Sequence, residues 1–425
     1  MSPLTHTKKS VAEDKSLYVV LIISNPPAPW KVTDWYWKEI AGVPFLLRNI
    51  LSIQQAGARR LMLFADKNVV GFDELYRRVA NDSRIRLQLE WDSKPEKLIV
   101  SAENDNCILF LDGSALQNKA RIAKTLKLDP EENTQESDRN LFLSPSHLET
   151  LLQQIDERGL VPWLKNIQSQ NIPQEISPNP GINIKWVTET ENLRITRPED
   201  FKTMDNRLIQ SCGLSNDSFM DRSVTRFISR QLTRQIIKTP VTPNMITLVS
   251  LIIGLGAAAC FLAGSYAMGV AGAGLLLLST WVDCTDGEVA RLKFLESPFG
   301  KQLDIICDNI VHMAVFFSIG LGLRAATGND FFIVLGGFAV LGCLVSFILL
   351  SQEIVNSKMN CDEYKPNKAE KKSITDKLAN RDFTYFLFFM AVIAQLELFL
   401  ALTAAGSNIF SGYLLYNKFR IQRKP

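Results

Sequence analysis

The chain has 425 residues, 46% of them hydrophobic, and a formal net charge of +3. This length allows two or three domains, and so small a net charge gives no basis for nucleic-acid binding. Charged residues occur throughout the chain up to about residue 240, but none lies between Thr239 and Val282. The contrast predicts a soluble N-terminal part followed by a membrane-spanning part.

The N-terminal segment MSPLTHTKKSVAEDKS lacks the apolar core of a secretory signal peptide, so we expect the N-terminal half to be cytoplasmic. The chain has 7 cysteines. None of them has the CxxC or metal-type spacing, and several lie in or beside apolar runs, where a thiol behaves as a small hydrophobic group. We expect no disulfides.

Residues 1–212 alternate strand-like and helix-like patterns. LYVVLII is followed by a helical pattern that stops at Gly57, and then by LMLFA, IRLQLEW and CILFLDG. Near the end, Thr196 and Glu199 have the spacing of a capping box that opens a helix ending near Cys212. The alternation predicts an α/β sandwich with a mainly parallel sheet.

Three stretches of this half, IAGVPFLLRNILSIQQAGARRLMLFAD, CILFLDGSAL and ITRPEDFKTMDNRLI, resemble the sugar-nucleotide and inositol-phosphate nucleotidyltransferases. That family holds nucleotide phosphates on a Gly-rich loop after the first strand, whereas this chain has SNPPAPWK there. Ser114 occupies the position of the metal-binding acid that follows LDG, and Asp112 reads as a structural turn residue. We therefore expect residues 1–212 to form a non-catalytic relative.

Residues 213–244 form the predicted linker to the membrane part. Basic residues recur there at every fourth position, from Arg222 to Lys238, and apolar residues recur with the same period from Met220 to Ile236. The two sets lie on opposite faces of a helix. This pattern predicts an amphipathic helix on anionic lipid headgroups, with a surface helix of the soluble domain as the alternative.

Residues 245–425 form the predicted membrane domain, an all-α fold of six spans. The predicted spans are 245–264, 265–282, a third that reaches spanning length only by starting near Gly300, a fourth from Phe331, and a fifth and sixth within 383–417 with a turn near Glu397. Lys and Arg lie mainly on one face, and the opposite loops contribute only Arg324. That asymmetry places the N-terminal domain and the acids at the cytoplasmic face.

Four aspartates flank the second and third predicted spans. Asp283 and Asp286 share one helical face, as do Asp304 and Asp308, so a chain reversal can bring them together. Clustered carboxylates are costly to ionise unless cations compensate them, and a pair of Mg²⁺ or Mn²⁺ ions suits oxygen ligands. The plainer interpretation, ion pairs with nearby Arg291, Lys293 and Lys301, explains one or two of the acids but not four.

The full pattern, D-x2-D-G-x2-A-R-x8-G-x3-D-x3-D, resembles the signature of the CDP-alcohol phosphatidyltransferases over about residues 240–417. The resemblance implies a six-helix membrane enzyme, usually dimeric, that transfers a phosphatidyl-type group from a CDP-linked lipid to an alcohol and releases CMP. It implies Asp283, Asp286 and Asp304 as metal ligands, and Asp308 as a ligand candidate and catalytic base. The CDP moiety would lie against Gly287, Ala290, Arg291 and Gly300, and more weakly Asn244 and Thr247.

The acceptor is the least determined partner. Fusion to a nucleotidyltransferase-like domain favours a phosphorylated polyol such as inositol phosphate, and its phosphate would need a cation such as Arg381 or Lys372. Two alternatives stay open. The chain could be a bifunctional enzyme with an active nucleotidyltransferase domain, or a divalent-cation transporter, since acids within a membrane commonly mark ion pathways.

Overall fold

A computed structural model of the chain describes residues 18–65, 71–92, 107–127, 140–143, 182–187, 193–213, 218, 220–359 and 382–422. The chain divides into two units, Met1–Asn206 and Arg207–Pro425, and each is considered by itself. The finer boundaries at residues 212 and 244 stay predictions.

The first unit is built on a six-stranded sheet in the order β5-β4-β1-β6-β8-β7. All neighbours in it are parallel except β7 and β8, which confirms the mainly parallel sheet. The central strand is fully buried, with Val19, Val20 and Leu21 at 0% exposure, as expected for a strand with parallel neighbours on both sides. The strands are β1 (Tyr18–Ile23), β2 (Glu39–Ile40), β3 (Val43–Pro44), β4 (Arg60–Ala65), β5 (Gln88–Asp92), β6 (Cys107–Asp112), β7 (Asn140–Leu143) and β8 (Ile182–Val187), of which β2 and β3 form a separate antiparallel hairpin.

The described residues of this unit also include five helices. They are α1 (Val32–Tyr36), α2 (Phe45–Gln55), α3 (Phe72–Ala80), α4 (Lys119–Lys127) and α5 (Pro198–Gln210). Helix α2 ends just before Gly57, as predicted, and that glycine has a φ of 108°, which side chains disfavour. The predicted capping box is wrong by one residue: α5 begins at Pro198, and Asp200 rather than Glu199 accepts the backbone N–H groups of Thr196 and Arg197, each at 2.8 Å.

The second unit is helical. A short π-helical turn (Asp221–Thr225) leads into α6 (Arg226–Ile236), followed by α7 (Pro243–Leu262), α8 (Tyr266–Lys293), α9 (Pro298–Thr327), α10 (Phe331–Met359), α11 (Asp382–Val392) and α12 (Leu396–Gln422). Helices α7, α8, α9, α10 and α12 are long and apolar enough to cross a membrane. Helix α11 has only 11 residues, so the described residues include five helices of spanning length, and the sixth predicted span stays a prediction. The predicted turn near Glu397 lies directly before α12.

The core of this unit forms where α7 packs on α8 and α9, α9 packs on α10, and α10 packs on α12. Phe261, Val315 and Phe399 are almost completely buried in it. At Gly254 an added Cβ would lie 2.7 Å from Val311, so the absence of a side chain lets α7 approach α9 closely. On the outer face of α7, Ile252 is 69% exposed, as expected for a helix that meets lipid.

Candidate active site

Helix α8 extends past its apolar segment and presents Asp283 and Asp286 on one face. Both carboxylates are buried, with exposures of 4% and 7%. The helix ends where Phe294 adopts a left-handed φ of 56° and Leu295 N–H donates to the carbonyl of Ala290 at 2.9 Å. This helix-ending turn reverses the chain toward α9.

Helix α9 begins with a well-formed N-terminus. The Ser297 side chain accepts the Gly300 N–H at 3.0 Å, and Pro298 occupies the first helical position, where its missing N–H costs nothing. From this start, Asp304 lies on the second turn and Asp308 one turn further along the same face. Both side chains are half-buried.

Three of the four aspartates meet. One carboxylate oxygen from each of Asp283, Asp286 and Asp304 lies within 4.8 Å of the others. Carboxylates at this spacing repel one another when ionised, and their hard oxygen donors suit Mg²⁺ or Mn²⁺. The three residues therefore fit a divalent cation. Asp308 is not part of this group, so its role as a ligand stays a prediction.

Thr247 on α7 contacts the aspartate cluster through Asp286. Its hydroxyl donates to a carboxylate oxygen of Asp286, and the residue is only 2% exposed. This hydrogen bond orients the carboxylate, and the predicted contact of Thr247 with the CDP moiety stays a prediction. Such outer partners fix the geometry of metal-binding side chains.

The other residues predicted to bind CDP lie around the same place. Gly287 and Ala290 are half-buried on α8, and an added Cβ at Gly287 would lie 3.2 Å from the Arg291 guanidinium. An added Cβ at Gly300 would lie 3.0 Å from the Asn244 side-chain oxygen, so the starts of α7 and α9 are adjacent. A side chain at either glycine would therefore press on Arg291 or on Asn244.

Two of the basic residues considered as ion partners for the aspartates bind backbone carbonyls. The Arg291 guanidinium donates to the carbonyl of Cys212 at 3.3 Å. Lys293, only 8% exposed, donates to the carbonyl of Thr239 at 2.6 Å. These bonds attach the end of α8 to the segments on either side of α6.

The predicted lipid-facing orientation of Arg226 is wrong. Arg226 is 4% exposed and its guanidinium lies 3.0 Å from Glu288 of α8, which is itself completely buried. Ser229 and Thr233, on the same face of α6, also donate to Glu288. The sequence contained a signal for this contact, because Arg226, Ser229 and Thr233 have the spacing of one helical face.

Arg381 and Lys372, predicted to bind the acceptor phosphate, lie outside the described residues. They stay predictions.

In the first unit, Asp112 at the end of β6 has partners from its own fold. Its carboxylate accepts the Ser114 N–H and hydroxyl at 2.9 and 2.7 Å, and the Arg194 guanidinium lies at 2.6 Å. An added Cβ at Gly113 would lie 2.4 Å from the carbonyl oxygen of Ile22, so this turn also requires a glycine. These contacts are those of a structural turn.

Residues 240–410 match the model of the family described as CDP-alcohol phosphatidyltransferase. The chain carries a domain of this family. The match confirms the resemblance drawn from the aspartate signature, and this phosphatidyltransferase domain contains every helix from α7 to α11 and most of α12.

Curated relatives extend the comparison. The chain is 28% identical over 235 residues to the bifunctional IPC transferase and DIPP synthase of Thermococcus kodakarensis, covering 54% of this chain and 51% of that protein. It is 30% identical over 138 residues to the protein of the same description from Rubrobacter xylanophilus, covering 32% and 31%. The matched segments thus span about half or less of these relatives.

Solved structures of Mycobacterium tuberculosis phosphatidylinositol phosphate synthase are also similar. The structure with CDP-DAG bound has a TM-score of 0.35 and 19% identity, and covers 45% of this chain and 92% of that one. The complex with manganese and citrate has a TM-score of 0.34 and 20% identity, and covers 45% and 88%.

Proposed function

We propose that this protein transfers a substituted phosphate group from a CDP-linked lipid to an alcohol and releases CMP. The observation that carries the proposal is the meeting of Asp283, Asp286 and Asp304 at the adjoining ends of α8 and α9, within the stretch that matches the family model. Three acids of the signature, two on α8 and one on α9, come together where a phosphate-bound cation would be held.

Asp283, Asp286 and Asp304 would hold Mg²⁺ or Mn²⁺, and Asp308 is a candidate further ligand if two ions bind. When bound, such a cation neutralises the phosphates of the donor and stabilises the departing CMP. The CDP head would lie near Gly287 and Gly300, where a side chain would press on Arg291 and Asn244, and Arg291 is a candidate phosphate contact. Thr247 keeps the Asp286 carboxylate in one orientation.

Asp308 is the proposed general base. The acceptor oxygen forms a bond to the phosphorus of the lipid-side phosphate, the bond from that phosphorus to the CMP oxygen breaks, and Asp308 takes the proton from the acceptor hydroxyl. Its place one turn from Asp304 puts a carboxylate beside the reacting centre without requiring it to be one of the three clustered ligands. The protein would otherwise contribute mainly by positioning the acceptor hydroxyl in line with the leaving group.

The orientation in the membrane is part of the proposal. We infer that α11 together with α12 completes a six-span domain, that the N-terminal unit and the carboxylates face the cytoplasm, and that the enzyme is a homodimer. The distribution of Lys and Arg supports the sidedness. A CDP-linked lipid would keep its chains in the bilayer while its CDP head reaches the carboxylates at the interface.

A phosphorylated polyol is the proposed acceptor. The names of the relatives from Thermococcus kodakarensis and Rubrobacter xylanophilus describe an IPC transferase and DIPP synthase, which supports a polyol-related substrate. Arg381 and Lys372 would supply the positive charge for the acceptor phosphate. Arg381→Ala should then raise the KM for a phosphorylated acceptor and leave the KM for the donor nearly unchanged. A wild-type preference for the unphosphorylated alcohol would contradict this assignment.

A second candidate function is nucleotidyl transfer by the first unit, favoured by the word bifunctional in the names of the relatives. Against it, Asp112 is engaged by Ser114 and Arg194, and SNPPAPWK replaces the Gly-rich loop. We therefore propose that the first unit is non-catalytic. Incubation with CTP and inositol phosphate should give no pyrophosphate above background, and pyrophosphate release that Asp112→Asn abolishes would support the bifunctional alternative.

The central experiment measures CMP release by the purified chain in lipid nanodiscs with Mg²⁺ or Mn²⁺, a CDP-linked lipid and a panel of alcohols. We expect release that requires both metal and acceptor. The control is Asp330→Asn, which alters an exposed acid paired with Arg324 away from the cluster. Absence of CMP release from every donor, together with cation uptake into liposomes, would favour the transporter alternative.

A further inference from the structure

The segment of α8 that carries Asp283 and Asp286 is held on both sides by buried polar contacts. Trp281 lies two residues before Asp283, and Glu288 lies two residues after Asp286. Both make hydrogen bonds to residues of other elements in the same unit. Since these two residues bracket the metal-binding segment, their partners determine how that segment is placed and rotated.

Glu288 provides the tie on the C-terminal side. It is completely buried, and it receives the Arg226 guanidinium at 3.0 Å, the Ser229 hydroxyl at 2.7 Å and the Thr233 hydroxyl at 2.6 Å. All three donors lie on α6, and each is at most 4% exposed. A buried carboxylate is tolerated only when its charge is paired and its oxygens are satisfied, so this contact has one strongly preferred geometry.

Tyr385 on α11 provides the tie on the N-terminal side. Its hydroxyl lies 3.0 Å from the indole nitrogen of Trp281, which donates to it, and 2.8 Å from the hydroxyl of Thr225. Thr225 is completely buried and is the last residue of the π-helical turn that leads into α6. The turn is therefore linked through Tyr385 to α8 before the two aspartates, and α6 contacts α8 directly after them.

A glycine lies between the two ties, and it increases the need for contacts that hold α8 in one orientation. Gly287 follows Asp286 directly, and a glycine within a helix leaves the backbone more freedom than any other residue. Carboxylate oxygens lie about 6 Å from a helix axis, so a rotation of about 10° displaces them by about 1 Å. A displacement of that size is enough to cost about a hundredfold in rate.

We infer that the turn at 221–225 and α6 form a brace that fixes the rotation of α8, with Glu288 and Tyr385 as positioning residues for the carboxylates of Asp283 and Asp286. The brace rests on the proposed function for its role in turnover. Its effect on cation binding can be measured separately. Of the basic residues for which the sequence suggested lipid contact, Arg226 belongs to the brace, and the lipid contact of the others stays a prediction.

The test uses three variants that each remove hydrogen bonds from the brace while keeping the buried Arg226 and Glu288 charges paired: Ser229→Ala, Thr233→Val and Tyr385→Phe. Matched controls remove hydroxyls that bond only within their own helix. Ser411→Ala alters a buried serine whose hydroxyl donates to Asn408, and Thr280→Val alters a threonine of α8 whose hydroxyl donates to Leu276. All are made in the full chain in nanodiscs.

Two quantities are measured for each protein: the Mn²⁺ dissociation constant by electron paramagnetic resonance, and the rate of CMP release at saturating Mn²⁺. Each brace variant should bind Mn²⁺ about tenfold more weakly, the scale seen when outer supports of metal ligands are removed. The KM for the CDP-linked donor should change less than the turnover. Both controls should match the wild type in Mn²⁺ binding and in turnover.

Brace variants that lower the thermal unfolding midpoint but bind Mn²⁺ as tightly as the wild type would overturn the inference, because packing alone predicts that result. Controls that weaken binding as much as the brace variants would overturn it too. A wild type that binds Mn²⁺ but releases no CMP would refute the proposed function. The brace would then be tested by the Mn²⁺ dissociation constants of the brace variants and the controls. A wild type with no Mn²⁺ affinity would overturn both.

Discussion

Asp112 in the first unit and Asp286 in the second both lie beside a glycine in an Asp-Gly pair, yet their surroundings differ. Asp112 faces the Arg194 guanidinium and the hydroxyl and N–H of Ser114. Asp286 lies within 4.8 Å of two further carboxylates. A carboxylate that faces a cation of its own fold contributes to stability, whereas a cluster of carboxylates requires a cation from outside. The same dipeptide thus pairs with a cation of its own fold in one unit and lies among further carboxylates in the other.

The largest effect is expected from removing charge in the cluster. Asp283→Asn, Asp286→Asn or Asp304→Asn keeps the shape of the side chain but removes a metal ligand, and should lower CMP release by about a thousandfold or more. The measurement is turnover at saturating donor and acceptor. Asp330→Asn should behave like the wild type, and near-normal turnover in any cluster variant would remove that residue from the site.

A smaller effect is expected at Thr247, which donates a hydrogen bond to Asp286. Thr247→Val keeps the shape of the side chain but removes the hydrogen bond to Asp286, and should weaken Mn²⁺ binding by about tenfold. The titration follows CMP release against Mn²⁺ concentration. Thr327→Val is the matched control, because that hydroxyl donates only to Leu323 of its own helix near the end of α9. An unchanged titration for Thr247→Val would mean that the hydrogen bond has no role in metal binding.

In the first unit, the corresponding substitution should change stability and not turnover. Asp112→Asn weakens a partly exposed ion pair with Arg194 and should destabilise the sheet by about 1–2 kcal/mol. Hydrogen exchange of the β6 amides, followed by mass spectrometry, measures this change. CMP release should stay at the wild-type rate. A drop in turnover comparable to that of the cluster variants would contradict the structural role of Asp112.

The smallest effect is expected at Asp200. Partial burial raises the pKa of its carboxyl, but the N–H groups of Thr196 and Arg197 outweigh this and hold the pKa below its usual value. A lowered pKa in the folded state means that the stabilisation is present above the unfolded pKa and is lost as the pH falls through the folded one. Asp200→Asn should cost about 0.5–1 kcal/mol near neutral pH and less in acid, as measured by exchange of the α5 amides. An equal cost at both pH values would contradict the electrostatic part of this account.

The patterns that predicted structure correctly were those with strong local causes. The apolar runs correctly predicted β1, β4 and β6. The uncharged stretch that ends at Val282 correctly predicted α7 and the apolar part of α8. The signature spacing correctly grouped Asp283, Asp286 and Asp304, because positions three or four apart share a helical face and a reversed chain brings two such faces together.

The main error came from a contact between residues that are distant in sequence. The periodic basic residues of α6 predicted contact with lipid headgroups, but Arg226 is buried and pairs with Glu288 of α8. The contact of Thr247 with Asp286 was not predicted, because nothing in the sequence shows that α7 places the two side chains together. The predicted contact of Thr247 with the CDP moiety stays a prediction. The turn predicted near Glu397 is present directly before α12, where Ala394 is left-handed. The count of six spans stays a prediction, because α11 has only 11 residues.

The sequence by itself determined that the chain has an α/β unit and an apolar helical unit, and which acids could bind a metal, since these features depend on periodicity and on residue chemistry. Only the tertiary structure decided which partners those acids have: Arg194 for Asp112, Thr247 for Asp286 and Arg226 for Glu288. The physical reason is that a buried charge takes its partner from whatever residue packing brings within a few ångströms, and that residue can lie anywhere in the chain.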